Sequence, residues 1–95
     1  MTKTTWEPPK QSMSGTLSES ELEKLPDSAF AFPKQRKEPL SSASHVRVAA
    51  ARFNQVEGVS DEDRRLAWAN IEKAARHWHI ELTEDTWQEA MTHNE

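Results

Sequence analysis

The 95-residue chain has no cysteine, no tyrosine and two glycines. Without cysteine there is no disulfide scaffold, thiol enzyme, cysteine-ligated zinc site or iron–sulfur centre. Two glycines, Gly15 and Gly58, cannot build a P-loop or a dinucleotide-binding turn, both of which need several at fixed spacing. No apolar run approaches the ~18 residues of a membrane span. Residues 1–10 lack the apolar stretch of a secretory signal, so the expected location is the cytoplasm, with no membrane contact. Apolar side chains make up 35% of the chain, against ~45–50% in ordinary globular domains on a count that includes glycine. The length allows one domain at ~100–200 residues each.

What is present is unevenly distributed. Residues 1–24 hold five apolar side chains: Met1, Trp6, Met13, Leu17 and Leu22. Too little surface can be buried there to offset the entropy of ordering, so residues 1–24 are expected to be a mostly disordered tail. Residues 41–95 hold 22 apolar residues in 55. Residues 25–92 are therefore expected to form a single small helical domain. Charge divides in the same way. Residues 1–40 carry six basic and six acidic side chains, so the net charge of −4 comes from the helical half.

Within the tail, Ser18 can cap a short helix over 18–24. Glu21 stands at N3, and Leu17 with Leu22 can form a hydrophobic staple. Pro26 stops it at once, leaving either a docked helix or a frayed turn. Phe30 and Phe32 share one face of an extended segment. Residues 34–37 form a basic turn, and Glu38-Pro39-Leu40 is extended again. A tiny β-ribbon and an irregular aromatic strap both fit this pattern.

Helical periodicity begins at Ser41 or Ser42, either of which can cap. Val46, Ala49, Ala50, Phe53 and Val56 make one stripe, and Gly58 is the expected C-terminal stop. Arg47, Ala51 and Asn54 face the other way, with His45, Arg52, Gln55 and Val48 on a flank. Ser60 caps the next helix. Asp61, Glu62 and Asp63 sit in its first turn, where the helix dipole favours acids. Its stripe is Ala67, Ile71, Ala74 and Trp78, widened by Leu66, Trp68 and Ala75. A third, shorter helix is expected to start at a Thr83 cap, with Leu82 and Trp87 as a staple and Ala90 and Met91 on its face. Residues 92–95 are expected to fray.

Leu25-Pro26-Asp27-Ser28-Ala29-Phe30-Ala31, then Pro33, Arg36, Pro39-Leu40 and the run His45 to Phe53, resemble a small domain of unknown function. That domain occurs in short bacterial and phage-associated proteins. The shared pattern is Leu-Pro-x-Ser-x-Phe-Ala followed by His-x-Arg-x-Ala-x-x-Arg, and it covers roughly Leu25 to Leu82. The chain departs from it at Glu38, where an aromatic is common, and at Val48, where Asn is common. The resemblance implies a common fold and a bacterial or phage origin, and it carries no activity.

The residues themselves point away from catalysis. The four histidines are His45, His77, His79 and His93. They do not show the convergent spacing of a metal site. His45 and Arg52 lie nearly on one face beside Ser41, Ser42 and Ser44, but no acid orients the imidazole and no glycine turn supplies an oxyanion donor. Acid clusters fall in helix first turns, where capping accounts for them. No catalytic residue, cofactor site or metal site is expected, and the chain is not expected to be an enzyme.

Two sets of side chains remain. Trp68 and Trp87 exceed what a minimal core needs, and tryptophan is enriched at protein interfaces. Lys34, Arg36, Lys37, Arg47 and Arg52 could meet phosphate if they converge. Against that stand the −4 charge and the acids opening the second helix, which would be the DNA-reading helix of a helix-turn-helix pair. The reading is a mainly α domain of two main helices plus a short third, strapped by the Phe-containing segment. It is expected to act as an accessory or interaction module that binds protein or associates with itself, through Trp68 and Trp87 or the tail around Trp6. The alternative is a nucleic-acid-binding accessory protein using the five basic residues.

Overall fold

A computed structural model of the chain describes residues 2–10 and 15–92. Four helices and a two-stranded ribbon follow in the order α1 (Glu19–Lys24), β1 (Phe30–Phe32), β2 (Lys37–Pro39), α2 (Ala43–Arg52), α3 (Asp61–His77) and α4 (Trp87–Met91). No helix among the described residues is long and apolar enough to cross a membrane.

Local chemistry explains most boundaries. Ser18 and Glu21 close a reciprocal capping box at the start of α1, and Ser60 and Asp63 close another at α3. Of the two serines ahead of α2, Ser42 is the cap, accepting from the His45 N–H. The ribbon forms, with Phe30 opposite Pro39 and Phe32 opposite Lys37 in antiparallel register. Its three-residue first strand is buried throughout. Arg36, at φ 53° in the turn, and Glu38, at φ 58° within β2, take left-handed backbone.

Three expectations are corrected. Helix α2 ends at Arg52 and does not run to Gly58; the chain tightens into a 3-10 turn over Phe53–Gln55. At three residues per turn, positions 53 and 56 eclipse, and Phe53 and Val56 are both buried. Gly58, at φ 77°, serves the loop that follows. The last helix is capped by Thr86 and not by Thr83. Thr86 has Glu89 three residues on, and that carboxylate accepts from the backbone N–H groups of Asp85 and Thr86. Thr83 has Thr86 at the same spacing and cannot complete a box. Residues 93–95, part of the segment expected to fray, lie outside the described residues.

The third correction concerns the tail. Residues 1 and 11–14 lie outside the described residues, but the segment around Trp6 is docked, and Trp6 is 1% exposed. What overcomes its poor composition is one anchor combined with polar contacts. The Trp6 ring packs edge-to-face on Trp78, and its indole N–H donates to the Leu40 carbonyl at 3.0 Å. The buried Asn70 carboxamide accepts from the Thr5 and Trp6 N–H groups at 2.9 and 3.0 Å.

The core lies where β1 and α2 meet α3, with α4 over the Phe53–Gln55 turn. Ala67, Ala74 and Ala75 are buried on α3 and let neighbouring backbones come close. Phe32 stacks on Phe53 at 6.0 Å, and Phe53 meets Trp68 edge-on at 5.2 Å. Helix α3 ends in a Schellman motif with His79 at φ 58°. The His79 and Ile80 N–H groups donate to the Arg76 and Ala75 carbonyls.

Candidate functional site: the outer face of α2

The basic turn is used inside the fold. Lys34 pairs with Asp63 at 3.4 Å, and Gln35 donates to the same carboxylate at 2.9 Å. Asp63 also accepts from the Ser60 N–H, and this bond, with the Lys34 and Gln35 contacts, holds its carboxyl below the usual range. Arg36 donates to Asp27 at 2.7 Å and to the carbonyls of Leu22 and Leu25 at 2.9 Å, and it lies over the Phe30 ring. It therefore closes the C-terminal end of α1. Lys37 donates to the Glu57 carbonyl at 2.9 Å. These three cations are exposed, and each is engaged by a different partner within the chain.

Both candidate tryptophans pack inward. Trp68 is 3% exposed, within the aromatic core, and its indole N–H is buried with no acceptor among the described residues. Trp87 is half-buried and packs against the core from α4. Burial removes Trp68 as a contact residue on the surface.

Arg47 and Arg52 are different. Both are exposed, and among the described residues neither is in an ion pair. The exposed side chains of α2 are Ser44, Arg47, Val48, Ala51 and Arg52, which are spaced three and four apart and so form one face. Helix α2 contains no acid. Val48 is 45% exposed and is, among the described residues, the large hydrophobic left in solvent.

Beside this face runs an open groove of about 500 Å³. It is lined by Leu17 and Leu22 at α1, by Glu38 and Pro39 of β2, and by Ser44, His45, Val48 and Arg52 of α2. The ring Nδ1 of His45 lies 2.8 Å from Ser42 Oγ, which lies 2.9 Å from Ser44 Oγ. The imidazole is thus tied to the helix cap. Partial burial pushes the Glu38 carboxyl up from its ordinary range, against the pull of Arg52 and Lys37. Among the described residues, no group of three or more His, Asp or Glu side chains could hold a metal ion. The face can offer two guanidinium groups, an apolar patch and a half-buried carboxyl.

Residues 14–85, about three quarters of the chain, match a family of unknown function, DUF6582. The chain belongs to this family. The DUF6582 match is longer than the stretch from Leu25 to Leu82 that carries the resemblance, and it takes in α1 and the whole α2 groove from Gly15 on. The docked segment at Trp6 and helix α4 lie outside it. No curated protein and no solved structure matches the chain.

The exposed face of α2 was partly legible. The sequence places Arg47 opposite the apolar stripe and Arg52 with Val48 on its flank, but it groups both arginines with the turn. The opposite fates of the turn and the helix depend on Asp27, Asp63 and the α1 carbonyls, which are distant in sequence or belong to backbone.

Proposed function

We propose that the chain is a non-enzymatic interaction module that binds an acidic, apolar-anchored segment of another protein on the outer face of α2. The observation that carries this reading is Val48, exposed between Arg47 and Arg52 on a helix without acids. Val48 lines the same groove as Leu17 and Leu22, so its apolar surface is continuous with theirs. A contiguous apolar patch rimmed by charged side chains is the kind of surface that marks a contact site. An apolar side chain of the partner covers Val48, Leu17 and Leu22, and its carboxylates meet Arg47 and Arg52. Charge complementarity of this kind sets partner choice and association rate.

A two-fold contact between copies through the same face would place arginines near their own counterparts, so a foreign acidic partner fits better than self-association. Nucleic acid is the second reading, and Arg47 and Arg52 are the observation in its favour. The −4 net charge and the internal engagement of Lys34, Arg36 and Lys37 weigh against it. A bacterial or phage setting belongs to the same proposal and rests on the resemblance; a cytoplasmic location is proposed with it.

Fluorescence anisotropy tests the choice with three probes: an acidic peptide carrying leucine and phenylalanine, the same peptide with lysine in place of its acids, and a DNA duplex. The acidic peptide is expected to bind, with Val48→Asp or Arg52→Glu weakening it about tenfold. Tighter binding of the duplex, abolished by Arg52→Glu, would overturn the protein reading.

A further inference from the structure

The segment around Trp6 is held in the manner of a ligand. Trp6 is buried while its neighbours Thr5 and Glu7 are exposed. Successive backbone groups are read one by one. The Thr5 and Trp6 N–H groups donate to Asn70 Oδ1, the Trp6 carbonyl accepts from Lys73 Nζ at 3.0 Å, and the Glu7 N–H donates to the Ser28 carbonyl at 3.0 Å. Asn70 Nδ2 donates to Thr5 Oγ1 and to the Ala31 carbonyl, both at 3.0 Å, which fixes the carboxamide between ligand and β1. The indole is fixed by the Leu40 carbonyl and by ring contacts to His77 at 5.7 Å and Trp78 at 5.5 Å. Pro8 and Pro9 follow, and they bring no N–H that would need a partner.

Every partner of this segment, from Ser28 to Trp78, lies inside the family match at 14–85, and the segment itself lies outside it. A peptide held by one aromatic anchor and several main-chain hydrogen bonds, here four, is a recurring mode of peptide recognition. We propose that the groove between β1, Leu40 and the second half of α3 is a binding site for a tryptophan-bearing extended segment. The chain's own residues 4–7 occupy it as a displaceable ligand, and the same segment of a second copy is its occupant in trans. Tethering gives the arm of the same chain an effective concentration of about millimolar, so the intact chain keeps its own arm bound.

A protease site inserted between Lys10 and Gly15, and cut after folding, turns the arm into a free ligand without removing it. The expected result is that the nicked protein stays folded by circular dichroism after its arm is lost on dilution. It then takes up a fluorescent peptide of residues 2–10. The peptide with Trp6→Ala binds about 30-fold more weakly, and Asn70→Ala in the nicked protein costs about tenfold. Unfolding as the arm leaves, no exchange, or equal binding of the Trp6→Ala peptide would each overturn the proposal. Occupancy by a second copy is tested by mixing full-length Trp6→Ala, with a vacant groove, and full-length Asn70→Ala/Lys73→Ala, whose groove has lost its contacts to the Thr5 and Trp6 N–H groups and to the Trp6 carbonyl and so releases its own arm. Light scattering is expected to show a heterodimer in the mixture and monomers of each alone. If the peptide enters the nicked protein but the mixture stays monomeric, the second copy is excluded as occupant and that part of the proposal fails.

Discussion

Asn70 shows how one polar side chain can decide the fate of a whole segment. It is fully buried on α3 and its carboxamide makes four hydrogen bonds, three of them to Thr5 and Trp6. Truncation leaves backbone donors and the Ala31 carbonyl without partners, and each unsatisfied buried group costs roughly 1–3 kcal/mol. Asn70→Ala is therefore expected to lower stability by about 2–3 kcal/mol in urea unfolding, with loss of the Trp6 environment in the fluorescence spectrum. A smaller loss than that of an ordinary surface substitution would mean the arm contributes nothing to the fold. Asn70 was also the missed signal in the sequence. It interrupts the apolar stripe between Ala67 and Ala74, and a polar residue in such a stripe needs a buried partner. Composition averaged over residues 1–24 hid that partner, because a single anchor does not change a mean.

Glu38 is the residue whose protonation reports its surroundings. Partial burial raises its pKa above the ordinary 4.5, and nearby Arg52 and Lys37 do not reverse the shift. In the window above 4.5 the folded chain holds a proton that the unfolded chain has released. Stability therefore falls as pH rises through that window. Glu38→Gln removes the titration. The variant is expected to match the wild type in stability below the window and to exceed it above, as read from denaturation midpoints across pH. A variant less stable than wild type at neutral pH would show that the carboxylate is held by favourable charge and not penalised by burial. Asp63 titrates in the opposite sense: its pKa is lowered by the Ser60 backbone bond, so its contribution is present at neutral pH and lost on acidification through the lowered value.

At the level of elements, caps set boundaries more firmly than stripes do. The stripe of α2 continues in phase to Val56, yet the helix ends at Arg52, because a tighter turn serves Phe53 and Val56 equally well. The start of α4 depends on Thr86 and Glu89, a cap-and-carboxylate pair at box spacing that Thr83 lacks. Thr86→Ala is expected to cost about 1 kcal/mol, and to lower amide protection across Trp87–Met91, whereas Thr83→Ala lies within about 0.5 kcal/mol of wild type. Equal effects of the two substitutions would place the cap at neither residue. His79 offers a substitution of the opposite sign. It holds left-handed backbone that costs a side-chain-bearing residue about 1–2 kcal/mol. Part of the gain from glycine is returned to unfolded-state entropy, so His79→Gly is expected to stabilise by about 0.5–1 kcal/mol in thermal melts. The caps at Ser18 and Ser60 were readable because each serine stands directly ahead of an acidic first turn. Arg36 on the α1 carbonyls and Asn70 on the arm were not, because those partners lie 11 to 65 residues away.

At the scale of the molecule, the charges fall into two groups. Acids in first turns and the basic turn at 34–37 serve the architecture, the latter by clamping the ribbon to α1 and α3. Arg47 and Arg52 form no ion pair among the described residues and lie with Val48 on the exposed face of α2. The net −4 of the chain therefore understates how differently its surfaces are charged. Amide chemical-shift mapping during titration with the acidic, leucine- and phenylalanine-bearing peptide tests the central claim most directly. The account predicts saturable shifts centred on Ser44, Arg47, Val48, Ala51 and Arg52 and extending to Leu17 and Leu22, absent in Val48→Asp. Shifts that spare α2, or that survive Val48→Asp unchanged, would contradict it.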